Sequence, residues 1–112
     1  MMIKRYTAAF LIPVGARKIL GEDGWEFDSP ERLSKGLADH LIAALRLDFA
    51  ERYSGIKRYI GDNISMSIFL DDKNEIENIY FQFYGSSLKA LEQLYQDPQV
   101  SSKAEIIMPE KE

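Results

Sequence analysis

The chain has 112 residues, 46% of them hydrophobic and 29% charged, with a formal net charge of -4 and no cysteine. A single domain of this size buries roughly two-thirds of its unfolded surface without metals or cross-links, and the composition is that of a globular protein. The acidic balance argues against general nucleic-acid binding, which needs Lys and Arg to neutralise phosphates, while the missing thiols exclude disulfides, thiolate metal sites and cysteine nucleophiles.

The first element is an apolar run, Thr7 to Ala16, flanked by Lys4-Arg5 and Arg17-Lys18. Basic residues ahead of an apolar run, with Val14-Gly15-Ala16 behind it, are features of a secretion signal. Pro13 inside the run and the very short basic segment favour a strand instead. Read so, Tyr6, Ala8, Phe10, Ile12 and Val14 face one way and Thr7, Ala9 and Leu11 the other. Both faces are apolar, as in a strand covered on both sides. Pro13 then ends the strand or takes an unpaired position, and the chain is expected to be cytoplasmic.

Gly21 and Gly24 bracket two acids, which predicts a turn or short hairpin carrying Trp25 and Phe27 on one side. Ser29-Pro30-Glu31 reads as a helix start with Ser29 as N-cap. Leu33, Leu37, Leu41 and Leu45 recur at helical spacing, so the helix is expected to run to about Glu51 and stop before Ser54-Gly55. In "IKRYIGDNISMSIFL" two alternating halves are split by Gly61-Asp62-Asn63, a tight turn or a bulge. Ile64, Met66, Ile68 and Leu70 form one face of the second half. Asp71 to Glu75 is a polar turn into "IENIYFQFY", where Ile79, Phe81 and Phe83 alternate with Tyr80, Gln82 and Tyr84. Gly85-Ser86-Ser87 caps a second helix that ends at Asp97-Pro98. Ala104 to Met108 suits a last short strand, and residues 109–112 form a charged tail.

Residues 1–108 are therefore expected to form one α+β domain of β-α-β-β-α-β order. That is a ferredoxin-like sandwich: a mainly antiparallel sheet with two helices on one face and the other face open or used.

Little in the chain points to a reaction. His40, the only histidine, lies in the apolar stripe of the first helix with no Ser-His-Asp or Cys-His spacing around it. It is expected to be largely buried, bonded to a backbone or Tyr acceptor, and reached by no cleft. Asp71, Asp72 and Glu75 resemble a calcium loop only in part, because Lys73 and Ile76 stand where such a loop needs an acid or Asn and a Gly. Neither a metal nor a cofactor is expected, no catalytic residue is assigned, and the balance is against an enzyme.

What remains is surface. The outer sheet face would carry Ser65, Ser67, Phe69, Tyr80, Gln82 and Tyr84, a semi-polar aromatic platform suited to protein contacts. Beside it lie two acidic runs: Glu22, Asp23, Glu26, Asp28 and Glu31 without a Lys or Arg, and Asp71, Asp72, Glu75 and Glu77 with Lys73. Acidic loops usually serve solubility. Together with Trp25 they point to a basic protein partner, met by Glu22, Asp23, Trp25, Glu26, Asp71, Asp72, Glu75, Tyr80 and Tyr84.

The stretch "IENIYFQFYGSSLKALEQL" resembles the strand, glycine turn and helix of small bacterial immunity proteins that neutralise polymorphic toxins. That resemblance implies a stoichiometric inhibitor whose acidic surface plugs the basic active site of a nuclease-like toxin domain. The alternatives are a dimeric ferredoxin-like small-ligand-binding or sensor protein, paired through the open sheet face with Phe69, Tyr80 and Tyr84 at the contact, or a small enzyme of unassigned reaction. Neither nucleic acid nor membrane is expected as a partner.

Overall fold

The apolar run that opens the chain is a strand, β1 (Tyr6–Pro13), and it lies inside a sheet between two neighbours. A computed structural model describes residues 6–22, 24–85 and 88–109, with Leu88 as backbone only. After β1 come β2 (Arg17–Gly21), β3 (Gly24–Asp28), α1 (Lys35–Ala44), β4 (Asp48–Tyr53), β5 (Ile56–Gly61), β6 (Ile64–Leu70) and β7 (Ile76–Tyr84). The chain continues with α2 (Leu88–Gln96), α3 (Pro98–Lys103) and β8 (Ala104–Ile107). The fold is α+β. Six strands form an antiparallel sheet in the order β4-β5-β6-β7-β1-β8, and β2 and β3 pair as a separate hairpin.

Strand alternation decides where the core sits. Ala9 pairs with Phe81 and Leu11 with Ile79, while across β7 Met66 meets Phe81 and Ile68 meets Ile79. These side chains share one buried cluster with Leu37 and Leu41 of α1, Leu94 of α2 and Val100 of α3. All three helices therefore cover the same sheet face. Phe81 is fully buried there, a burial that stabilises by roughly 1.5–3 kcal/mol.

The expected β-α-β-β-α-β order is not the observed one. The hairpin β2–β3, the strands β4 and β5 and the helix α3 are additional elements, so three helices rather than two cover the face.

The first helix is also shorter at both ends. It starts at Lys35 because Ser34, not Ser29, is the N-cap, accepting from the Leu37 N–H. Residues ahead of it are not helical. Leu33 N–H donates to the Ile76 carbonyl, and the Arg32 guanidinium donates to the carbonyls of Ser29 and Glu31. The helix ends at Ala44, and Arg46 takes a left-handed conformation with φ 55°. Beyond it "DFAERY" becomes strand β4, because pairing with β5 satisfies its backbone along the edge of a sheet. Ser54 and Gly55, expected near the helix end, have φ of 47° and 80° and make the turn joining β4 to β5. Two positive φ values in succession match the twist of a tight hairpin.

Several expectations agree with the structure. Gly61-Asp62-Asn63 is the turn between β5 and β6, Asp97-Pro98 ends α2, and Ala104 begins the last strand. The proposed Ser86-Ser87 cap and residues 110–112 of the tail lie outside the described residues.

Candidate partner-binding surface

The second face of the sheet is half covered. By register it carries Phe10 of β1, Tyr80, Gln82 and Tyr84 of β7, Ser65, Ser67 and Phe69 of β6, and Arg58 of β5. The β2–β3 hairpin folds over its β1 side. Trp25 and Phe27 stand two apart on one strand, so both project from the same side of the hairpin. Their rings stack at 6.3 Å and 5°. Phe27 meets Phe10 at 5.0 Å and Phe10 meets Tyr80 at 4.8 Å, so an unbroken run of rings passes from hairpin to sheet. Glu105 of β8 holds the hairpin's base. Its carboxylate accepts from the Gly15 N–H at 2.8 Å and pairs with Lys18 at 3.2 Å. The Gly15 N–H and then Lys18 hold this carboxyl below the usual carboxylate range, against an opposing push from burial.

Between hairpin and sheet opens a cleft of about 640 Å³, lined by Phe10, Trp25, Phe27, Phe69, Asn78 and Tyr80, with Glu26 and Glu77 also in its wall. Among the described residues its wall contains no Lys or Arg. Glu77 falls where the β6–β7 register shifts, so the ladder gives it no cross-strand partner. It also borders a neighbouring depression that holds Glu31, Asp71, Asp72 and Glu75 with Arg32 and Lys73. Arg32 donates to Asp71 at 2.9 Å and lies 3.9 Å from Glu77. The two acidic runs, separated by some 40 residues of chain, thus meet at one end of the sheet.

The expected contact residues are only partly brought together. Trp25, Glu26 and Tyr80 come together in the cleft. Asp72 and Glu75 are exposed in the adjoining depression. Asp71 is there too, but its carboxylate is committed to the turn: it accepts from Arg32 and from the backbone N–H groups of Lys73 and Glu75. Those bonds, led by Arg32, hold its carboxyl below the ordinary range although burial pushes the other way. Glu22 is exposed at the hairpin tip, and Asp23 lies outside the described residues. Tyr84 is on the right face but at the far end of β7, where it donates to Gln82 at 3.0 Å and packs on Tyr6. Phe10, Phe27 and Glu77 belong to the cleft although they are not among the expected contact residues. The spacing of Trp25 and Phe27 was the available signal for Phe27, whereas Phe10 and Glu77 needed the docking of the hairpin.

His40 departs from expectation. Its side chain is 30% exposed, a shallow cleft opens beside it, and its acceptor is a carboxylate: Nε2 lies 2.6 Å from Asp97 Oδ2. Nδ1 lies 3.4 Å from the Gln99 amide nitrogen. Asp97 is the N-cap of α3, accepting the Gln99 N–H through its other oxygen. Leu37 and Leu41 of the expected stripe are buried on α1, but Leu33 lies ahead of the helix, and the cap of α3, an element outside the expected order, supplies the His40 partner. Both ring nitrogens are engaged by α3 and its cap, the geometry of a clamp between helices.

Among the described residues no group of three or more His, Asp or Glu side chains is placed to hold a metal ion, and no helix is long and apolar enough to cross a membrane. No family model, curated protein or solved structure matches the chain.

Proposed function

We propose that this chain is a non-catalytic protein-binding module whose acid-flanked aromatic cleft receives a basic side chain of a partner protein. One observation carries the reading: the ring run Trp25–Phe27–Phe10–Tyr80 borders a cleft whose charged lining, among the described residues, is Glu26 and Glu77. Ring faces attract Lys and Arg by about 0.5–2 kcal/mol, more when desolvated, and the neighbouring carboxylates add steering at a distance. In its most concrete form the module is a cytoplasmic, immunity-type inhibitor that seats this surface in the basic active site of a nuclease-like toxin domain. We read β6-β7-β1-β8, with α1 and the α2–α3 pair in the connections, as a ferredoxin-like core to which β4–β5 and the hairpin are additions.

The test pairs the purified chain with a basic toxin domain encoded beside it in the native host. Calorimetric binding with protection from toxicity supports the proposal, together with at least a tenfold loss of affinity in Trp25→Ala or Glu77→Ala. Failure to bind or protect would end it. The open face beyond the hairpin also favours a second reading, a homodimer joined through β4 to β6. Tyr53 and Ile60, opposite Ile56 and Ser65 by register, are exposed there. Light scattering that gives a monomer at all concentrations rejects that reading.

A further inference from the structure

A groove of about 530 Å³ lies on the helix side of the sheet, between α1 and strands β5 and β6, on the opposite face from the aromatic cleft. Leu33, Ala38, Ile68 and Ile76, all buried, and the half-buried Ile42 give it an apolar floor. Its wall holds four cations: Arg32, which is paired with Asp71, and Lys35, Arg52 and Lys57. The placement of the last three is electrostatically costly. Arg52 stands directly opposite Lys57 across the β4–β5 ladder, and Lys57 opposite Ile68, so both cations share the core-facing side of the sheet. Side chains directly opposite are about 5 Å apart at Cβ, and like charges there destabilise a sheet. Arg52 donates to the neutral Asn74 amide oxygen at 2.8 Å. Among the described residues neither Arg52 nor Lys57 is ion-paired. Lys35 opens α1, whose first turn has no acid, and so puts a cation at the positive end of the helix dipole.

Three unfavourable placements converge on one apolar groove, and one anion there relieves them together. We infer that the groove binds an organic monocarboxylate with an apolar tail. The carboxylate lies between Arg52 and Lys57, where the guanidinium fork matches its two oxygens, and the tail lies along Ala38, Ile42 and Ile68. Asp39 and Glu75 line the same groove and disfavour a second negative charge, which sets a carboxylate ahead of a phosphate. The volume falls within the roughly 300–1,000 Å³ of small-molecule sites.

Sodium octanoate titrated into the isotope-labelled full chain is the test, read by amide chemical shifts. Saturable shifts centred on Ile42, Arg52, Lys57 and Ile68 are expected, with 1-octanol, octylammonium and inorganic phosphate each at least tenfold weaker. Lys57→Met should raise the melting temperature of the free protein, because it removes the opposed charge, while weakening octanoate at least tenfold. Arg52→Gln should act in the same direction and serves where the first variant folds poorly. Octanol binding as tightly as octanoate would leave only an apolar groove and overturn the inference. Phosphate binding as tightly would leave only an anion site. Shifts centred on Trp25, or undiminished octanoate affinity in both variants, would refute it as well.

Discussion

Replacing Asp97 by asparagine separates the two tasks of this side chain. Asparagine keeps an oxygen to cap α3 but removes the carboxylate that accepts from His40 at 2.6 Å. A hydrogen bond to a charged group contributes about 1.5–3 kcal/mol. With the His40 side chain 30% exposed, the low end applies, so Asp97→Asn should cost about 1.5 kcal/mol. Asp97→Ala also removes the cap, worth about 1 kcal/mol, for a total near 2.5 kcal/mol. At about 4 °C per kcal/mol for a domain of this size, the melting temperature should fall by about 6 °C and 10 °C respectively.

The pH dependence has a definite sign. Desolvation pushes the Asp97 carboxyl upwards, but the His40 bond and the Gln99 N–H outweigh it, so its pKa in the folded state is lowered. A lowered carboxyl pKa contributes stability that is complete above the unfolded value near 4 and is lost as pH falls through the folded value. Urea unfolding of wild type, His40→Ala, Asp97→Asn and the double variant measures the coupling, expected near 1 kcal/mol at pH 7. Repeating the wild type and Asp97→Asn from pH 7 to pH 3 should show the gap between them closing below about pH 4. A coupling below about 0.3 kcal/mol, within the additivity error of independent sites, would refute the clamp, as would a gap that does not change with pH.

Asp71 and Glu105 are held low like Asp97, so overall stability should fall below about pH 4, and Asp71→Asn or Glu105→Gln should each flatten that acid limb in denaturant titrations. Gly61→Ala should destabilise by roughly 1–3 kcal/mol, the range for overpacking, because its Cβ would lie 2.7 Å from the buried Leu47 Cδ2 and 3.4 Å from the Arg46 carbonyl; thermal melts read this directly. Phe27→Ala removes the ring that joins Trp25 to Phe10. It should free the hairpin from the sheet, red-shifting the emission of the single tryptophan and exposing residues 17–28 to limited proteolysis, with α1 and β6 unaffected by amide exchange.

The alternation of "ISMSIFL" and "IENIYFQFY" is strong enough that both faces of the central strands were legible before any fold was known. The inner set Ile64, Met66, Ile68, Phe81 and Phe83 is buried, and the outer set Ser65, Ser67, Phe69, Tyr80, Gln82 and Tyr84 lines the other side, where Ser65 is buried and the rest are half-buried. A period of two admits a single assignment once one face must leave water. The glycine-bracketed hairpin and the apolar β1 followed from equally local rules. The reading of α1 failed for a non-local reason. Leu33 donates its N–H to Ile76, more than 40 residues away, and "DFAERY" has no backbone partner until β5 folds back onto it, so helical spacing of leucines was the only signal in view. The same limit applies to the sites. Trp25 and the two acidic runs were visible as composition, but the docking of the hairpin over Phe10 makes a cleft of them and brings Glu77 to its edge. Likewise Lys57 and Arg52 are ordinary surface charges until the β4–β5 register sets them face to face. Local periodicity encodes which side of an element turns from water; only tertiary pairing decides which charges and rings from distant segments must share a space.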